Sequence, residues 1–448
     1  MTLRINNSNN ITYKFIDIFA GMGGMRLGFE EAFSAFGLKT KCVMTSELKA
    51  HAIDILEDNF EHELFVGDIT KVTNQEIPDF DFLLGGFPCQ AFSSAGNRDG
   101  FCDTRGTLFF EIERILKAKK PHGFILENVE GLVTHDKGKT LKVILQSLNN
   151  LGYKVDWKVI DSTDLGLPQS RKRIYIVGSL DKKVNLFSIK QTSPKFFEEI
   201  QEKGLDVIDS NFTQKLLSHL PIESLYGKAI KDKRGGENNI HSWDFGLKGE
   251  VTEKQKTLLK QLFKERRKKH WAEKIGIVWM DGMSLTLEQI ATFFEDENLE
   301  EILDDLVDKG YLKFEHPKEK VEIVVNGSKI SRREYAIDKP KGYNIVTGKL
   351  SFEFSKILDP KGLTPTLVAS DMEKLGVVDG KGIRKLSLRE GLRLFGYPES
   401  YSLEIFEKNA TTKRKAFDLL GNTVAVPVIK EVAKELAKVY KDVPVASL

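Results

Sequence analysis

The residue pattern predicts an α/β fold, a parallel sheet covered by helices on both faces, with a second and less regular region in the later part of the chain. Three observations carry this expectation. From Tyr13 to about Leu180, short β-rich apolar runs alternate with amphipathic helical stretches, the rhythm of strands joined by crossover helices. From about Asp181 to Pro360 the rhythm is lost to charge runs, glycine turns and scattered aromatics. After about Leu363 it returns.

Taken in order, strands are expected at 14–18, 40–46, 64–66, 80–84, 123–126, 155–160 and 173–177, with amphipathic helices at 108–118 and 141–148. The irregular middle opens with the turn Lys233-Arg234-Gly235-Gly236. It continues through 264–274, a stretch with six cationic and two acidic side chains. Residues 284–290 have the spacing of a helix start, with Ser284 one place away from an ideal capping pair. Helix continues at 299–306, and 310–314 reads as a strand after a glycine stop. Helix, helix and a short strand pair fit a small winged-helix module, and a solvated α+β insert fits the same pattern. Residues 386–395 form a helix closed by Gly396-Tyr397-Pro398, and 428–440 a strongly amphipathic final helix.

The 448 residues suffice for a large core and two domains. A formal net charge of +2, with 29% charged residues, excludes a protein that coats nucleic acid indiscriminately, while leaving room for a local basic surface. Cys42, Cys89 and Cys102 are the three cysteines and form no CxxC pair, so neither a disulfide framework nor a metal site is expected. The polar start of the chain and the lack of an apolar run near the roughly 18 residues of a membrane span lead to the expectation of a cytoplasmic protein without membrane contact.

The most telling stretch is Gly85-Gly86-Phe87-Pro88-Cys89-Gln90, a thiol on a tight turn after a buried strand. Open α/β sheets present reactive groups at the carboxyl ends of their strands. A buried apolar role is the alternative for Cys89, but its glycine, proline and glutamine neighbours do not resemble an apolar core. Upstream, Phe19-Ala20-Gly21-Met22-Gly23-Gly24 is a glycine turn between the first strand and a helix, where backbone can approach a ligand. Glu47, after the next strand, has the place of an acid that binds ribose hydroxyls, and Asp68 follows the third strand. The spacing suits a nucleoside ligand without choosing between a nicotinamide cofactor and S-adenosylmethionine. Glu127 ends an apolar strand, where an acid either caps the next helix or faces the ligand crevice. Arg171 and Arg173, after Gln169, are surface cations or anion holders. Together these groups suit attack on an electron-poor ring: a thiolate adds to carbon, a carboxylic acid supports the developing charge, and guanidinium groups hold a carbonyl oxygen and a phosphate.

In this combination the chain resembles the DNA (cytosine-5)-methyltransferases of bacterial restriction–modification systems. The likeness runs in order through Asp17-Ile18-Phe19-Ala20-Gly21-Met22-Gly23-Gly24, Gly86-Phe87-Pro88-Cys89-Gln90, Asp103-Thr104-Arg105-Gly106-Thr107-Leu108-Phe109, Glu127-Asn128-Val129 and Gln169-Ser170-Arg171-Lys172-Arg173. It resumes at Arg393-Leu394-Phe395-Gly396-Tyr397-Pro398 and Gly421-Asn422-Thr423-Val424-Ala425-Val426-Pro427. The resemblance implies a Rossmann-like methyltransferase sheet with a smaller target-recognition domain: residues 1–180 catalytic, 181–385 for recognition, and 386–448 returning to the catalytic domain. It implies S-adenosyl-L-methionine as cofactor. Phe19 would stack on its adenine, Asp68 and Ile69 would hold that ring, and Glu47 would bind the ribose. Gly21 and Gly23 would approach the methionine part, with Pro88, Leu108, Asn422 and Thr423 completing the pocket.

The implied catalytic residues are Cys89, Glu127, Arg173 and Arg171. Cys89 would add to carbon 6 of a cytosine flipped out of duplex DNA, Glu127 would support ring nitrogen 3, and carbon 5 would take the methyl group. Arg173 is assigned to the base carbonyl and Arg171 to phosphate or to orienting the loop. Arg266, Arg267, Lys268 and Lys269 are either phosphate contacts or a solvated helix face. The expected partner is double-stranded DNA, with a cognate endonuclease acting on the same site and the protein itself monomeric. Two departures stand out: Leu48 follows Glu47 where relatives often carry an aromatic, and Thr423 replaces a commoner serine. The alternatives are a tRNA cytosine methyltransferase, which typically has a proline where Phe87 stands, and a DNA-binding regulator without catalysis.

Overall fold

The computed structural model describes residues 12–87, 107–232, 235–278, 282–325, 328–347 and 352–441. The chain divides into two compact units: Met1–Glu202, Pro360–Glu373 and Leu386–Leu448 form the first, Lys203–Asp359 and Lys374–Lys385 the second. The division falls at Glu202 and not near residue 181 because the intervening segment packs on the sheet. Val184, Leu186 and Ile189 join its core, and the Leu186 amide donates to Asp156. Residues 360–373 come back for a similar reason, with the Thr364 amide donating to the Pro168 carbonyl at 2.8 Å.

Seven strands make the sheet of the first unit: β1 (Thr12–Ile18), β2 (Lys39–Ser46), β3 (Phe65–Val66), β4 (Phe82–Gly86), β5 (Gly123–Val129), β6 (Lys154–Asp161) and β7 (Lys172–Ser179). Their order is β3-β2-β1-β4-β5-β7-β6. The first five run parallel, but β7 lies antiparallel between β5 and β6, so the sheet is mixed and not wholly parallel as the alternation suggested. No helix separates β6 from β7. The two are joined by residues 162–171, which hold only the 3-10 turn Ser162–Asp164 and are too short for the crossover helix that a parallel pair requires.

Alternate residues point to opposite faces and fill two cores. Phe15, Phe82, Leu84, Ile125 and Val177 pack under α1 (Gly24–Ser34) and the final helix Val426–Tyr440. Ile16, Ile18, Leu83, Leu126 and Ile176 pack under α3 (Thr107–Lys119) and α4 (Lys139–Asn150); α2 (Ala50–Asn59) follows β2. Each fully buried side chain of this size stabilises the fold by about 1.5–3 kcal/mol. Gly28 brings α1 against the final helix. A Cβ there would meet Ile429 at 2.7 Å and the Lys430 amide at 2.9 Å.

The second unit has a sheet of short strands, Ala229–Ile230, Asn239–Ile240, Lys356–Ile357, Leu375–Asp379 and Gly382–Lys385. Beside it stand helices Glu253–Glu265, Lys269–Ile275, Leu287–Ala291 and Leu299–Asp308, packed on Trp243, Leu258, Leu262, Leu303 and Tyr343. Leu312–Glu315 pairs antiparallel with Gly342–Ile345, and between them Lys318–Val325 and Ser328–Tyr335 form a hairpin. Three expectations need correction. The cap near residue 284 is Thr286, which forms a reciprocal capping box with Gln289. The helix expected at 386–395 runs Leu388–Leu394, because Ser387 caps it through Glu390 and Gly396, at φ 72°, ends it. Arg266, offered as a phosphate contact, is buried and donates to Asn344 at 2.8 Å, while Lys268 and Lys269 are paired with Glu265 and Glu273.

Candidate active site

The strand order reverses direction between β1 and β4: β2 and β3 lie to one side of β1, β4 and β5 to the other. In open α/β sheets ligands bind outside the carboxyl ends at such a switch point. Here the glycine turn leaves β1, and the segment that carries Cys89 follows β4 in the chain. The register carries the level across, Ile18 beside Ser46 and Gly85, and Gly86 beside Glu127.

The glycine turn is held from several sides. Phe19, Gly21 and Gly23 all have left-handed φ (59°, 56° and 70°), strained for Phe19 and easy for the glycines. A Cβ on Gly23 would meet the Phe60 ring at 2.4 Å. Glu47 accepts from the Gly21 amide at 2.8 Å through one carboxylate oxygen, and from the Leu48 and Lys49 amides at 2.8 and 2.9 Å through the other. The oxygen that accepts from Gly21 alone retains lone-pair capacity for a ribose hydroxyl. Leu48 itself is 66% exposed. Asp68 caps a short 3-10 turn, accepting from the Thr70 amide at 3.0 Å and hydroxyl at 2.7 Å; these bonds hold its carboxyl below the usual range. Ile69 is buried beside it, and Leu108, in the first turn of α3, is half-buried.

On the β4–β5 side, Glu127 is buried and its Oε1 lies 3.1 Å from Arg173 Nε. Burial pushes its carboxyl up from the ordinary value, against the pull of Arg173 and then Arg171. The next residue, Asn128, donates from Nδ2 to the Phe87 carbonyl at 2.9 Å. Phe87 is buried against Phe109, their ring centroids 6.0 Å apart. Phe87, the last described residue before Cys89, is thus anchored beside Glu127. Pro88 and Cys89 lie outside the described residues.

The C-5 cytosine-specific DNA methylase family model matches residues 13–438. The chain belongs to this family. It is 57% identical over 430 residues to the Type II methyltransferase M.NlaIV of Neisseria lactamica, covering 94% of this chain and 98% of that one. With M.NgoBV of Neisseria gonorrhoeae the identity is 56%, again over 94% and 98%. The S. pombe Dnmt2 methyltransferase structure superposes with a TM-score of 0.53 at 15% identity, covering 95% of this chain and 98% of that one, a likeness of fold. The protein is therefore a DNA cytosine-5 methyltransferase of the restriction–modification kind. Among its described residues no helix is long and apolar enough to cross a membrane.

The family and fold imply S-adenosylmethionine as methyl donor, and the first unit of this methyltransferase has a feature that fits a cation. Asp17, at the end of β1, is 1% exposed. The Arg26 amide approaches it, yet neither carboxylate oxygen accepts a hydrogen bond of ordinary geometry among the described residues. Burial first, then Glu47 and Glu30 against Arg26, pushes its carboxyl up to about 8. A sulfonium or ammonium group would supply what this acid lacks. Sequence reasoning placed Asp17 in the glycine motif without assigning it to the site. The signal was there, an acid inside the apolar run Phe15-Ile16-Asp17-Ile18.

The methyltransferase treats its two arginines differently. Arg171 is buried and donates to the carbonyls of Leu367 at 3.0 Å, Gly421 at 3.2 Å and Thr423 at 2.8 Å. Burial, then the like charge of Arg173, draws its guanidinium down to about 10. These bonds tie the carboxyl-terminal motif to the sheet, an orienting arrangement that leaves little for a phosphate. Thr423 also bonds the Tyr397 hydroxyl, and Tyr401 donates to the Met22 carbonyl of the glycine turn at 2.6 Å. Asn422 is exposed and bonds Asp418, which in turn pairs with Lys49 beside Glu47. A separate cavity of about 570 Å³ in the second unit, lined by His241, Lys256, Lys260 and Lys264, contains none of the candidate residues.

Proposed function

We propose that this methyltransferase transfers the methyl group of S-adenosylmethionine to carbon 5 of a cytosine flipped from duplex DNA, through a transient bond between Cys89 and carbon 6. The observation that carries the reading is the buried Glu127–Arg173 pair, with Glu127 level with Gly86 at the end of β4, three residues before Cys89 in the chain. Flipping costs a few kcal/mol of stacking and pairing, and a pocket that holds the base by its edge offsets this. Glu127, held toward its protonated form by burial, donates to ring nitrogen 3 as the Cys89 thiolate adds to carbon 6. Electron density then gathers at carbon 5, which takes the methyl group that the bound donor supplies. Loss of the carbon 5 proton to base expels the Cys89 thiolate, and ring nitrogen 3 returns its proton to Glu127, which restores the neutral aromatic ring. Arg173 keeps Glu127 in place and faces the base carbonyl, and Arg171 positions the carboxyl-terminal motif.

For the donor, Asp17 meets the positive charge, Glu47 the ribose hydroxyls, and Asp68 and Ile69 the adenine edge, with Phe19 over its face. Gly21 and Gly23 allow backbone to approach the methionine part, and Leu108, Pro88, Asn422 and Thr423 close the pocket. The second unit, with the segments around it, serves target recognition. The match to M.NlaIV covers 94% of the chain and so runs through this unit, which supports a shared recognition sequence. The enzyme acts as a monomer in the cytoplasm, alongside an endonuclease that cuts the same site.

The test is trapping on duplex DNA carrying 5-fluorocytosine in the presence of S-adenosylmethionine. A denaturation-resistant adduct is expected with the parent and none with Cys89→Ala, which should still bind the donor. An adduct of equal yield in Cys89→Ala would overturn the assignment.

A further inference from the structure

The second unit contains two elements on which a groove-reading role could rest, and their charges are opposite. Helix Leu299–Asp308 has Glu300, Glu301, Asp304, Asp305 and Asp308 and no cation. Glu300, Glu301, Asp304 and Asp308 are exposed, while Asp304 accepts from the Tyr343 hydroxyl and Asp305 pairs with Lys309. A polyanion is repelled from that surface. The hairpin after it in the chain is sorted differently. Its register sets Lys318 opposite Tyr335, Lys320 opposite Arg333 and Glu322 opposite Ser331, which share one face. Glu319 opposite Glu334 and Val321 opposite Arg332 belong to the other.

Lys320 and Arg333 are both exposed. Among the described residues neither has an acidic partner, whereas Arg332 is paired with Glu334 at 3.2 Å and Lys318 lies over the Tyr335 ring at 4.4 Å. Like charges directly opposite across a hairpin weaken it. Such an arrangement is relieved by an anion that both side chains can reach. The other basic run of the unit differs, since Arg266 is buried and Lys268 and Lys269 have carboxylate partners.

We propose that the Lys320–Arg333 face of this hairpin is a contact surface for the DNA phosphate backbone, and that the acidic helix Leu299–Asp308 stays away from the duplex. The module then works as a winged helix that engages DNA through its wing. The inference rests on the reading that duplex DNA is the substrate. Such contacts add affinity without reading sequence.

The experiment measures binding of the full-length protein to a fluorescent duplex oligonucleotide as salt is raised. Two phosphate contacts correspond to about 1.8 in the slope of log K against log salt. Lys320→Ala/Arg333→Ala should lower the slope by about that amount. Between about 50 and about 200 mM salt the parent then loses about 12-fold more affinity than the variant. Arg332→Ala and Glu300→Gln/Glu301→Gln should leave the slope unchanged. Removing an exposed like-charge pair should not lower the melting temperature, so a loss of binding through unfolding is detected directly. A parent-like slope in the double variant overturns the hairpin proposal alone. A parent that binds no duplex overturns the DNA reading and the hairpin with it.

Discussion

Asp17, Glu127 and Arg171 of the first unit are withdrawn from water, whereas Lys320 and Arg333 of the second stand in it. In the first setting electrostatic interactions are strong and directional, and burial moves protonation equilibria: Asp17 and Glu127 up, Arg171 down. In the second, each cation is screened and individually weak, and its contribution depends on salt. The contrast suits a division of labour in which one unit holds reacting groups in set protonation states while the other adds non-specific attraction to a polyanion.

The comparison is tested hardest at Glu127. Glu127→Gln should lower kcat by about 10²–10⁴-fold with little loss of DNA affinity, the range for a positioned acid or base. In the parent, kcat should fall as pH rises through the raised value of Glu127, and this limb should be absent from the variant. A defect in DNA binding alone would reassign the residue.

Next comes the contrast between two arginines two positions apart. Arg171→Met leaves three buried carbonyls without their donor and should cost about 3 kcal/mol in urea unfolding. Arg173→Met should leave stability closer to the parent's and lower kcat instead. Equal stability losses in the two would erase the distinction between an orienting arginine and one that faces substrate.

Asp17 sharpens the same contrast through pH. Its carboxyl rises from an ordinary 3.8 to about 8 on folding, so the folded chain holds a proton that the unfolded chain releases. Without cofactor, stability from this group is full below pH 3.8, falls as pH rises toward about 8, and is level above it. Asp17→Asn should flatten that dependence and raise stability near pH 8 by about 2–4 kcal/mol, while weakening S-adenosylmethionine binding. Urea titrations at acid and alkaline pH, with calorimetry of the cofactor, read both effects. The smallest expected effect is at Leu48, which is exposed next to Glu47. Leu48→Trp should tighten cofactor binding by about 3–10-fold through ring stacking, measured by the same calorimetry.

Much of the first unit was legible because its signals are local. The apolar run around Asp17 in Phe15-Ile16-Asp17-Ile18 marks a strand buried on both faces, and the glycines after it announce the turn. The six longer strands fall within three residues of their expected limits, and the 64–66 strand appears as Phe65–Val66. The antiparallel direction of β7 was not legible, since period-2 patterning is the same in either orientation. The cap near 284 was displaced because Ser284 and Thr286 both offer a hydroxyl at one helix start and only backbone geometry selects Thr286, while the helix expected at 386–395 was drawn too long because its apolar pattern runs past the cap at Ser387. For Arg171 and Arg266, sequence shows a charge and a neighbourhood but not the carbonyl or amide that a distant segment brings to it.

By itself, the order of motifs determined the family and the chemistry, because reacting groups must follow particular strands in a fold whose strand ends form the crevice. Tertiary structure alone decided which charges are buried and which stand in water: that Asp17 accepts no hydrogen bond of ordinary geometry among the described residues, that Arg171 is occupied by three carbonyls, and that Lys320 meets Arg333 across a hairpin. The physical reason is that a side chain's electrostatic role depends on the dielectric and the partners around it. Residues hundreds of positions away in the chain supply both.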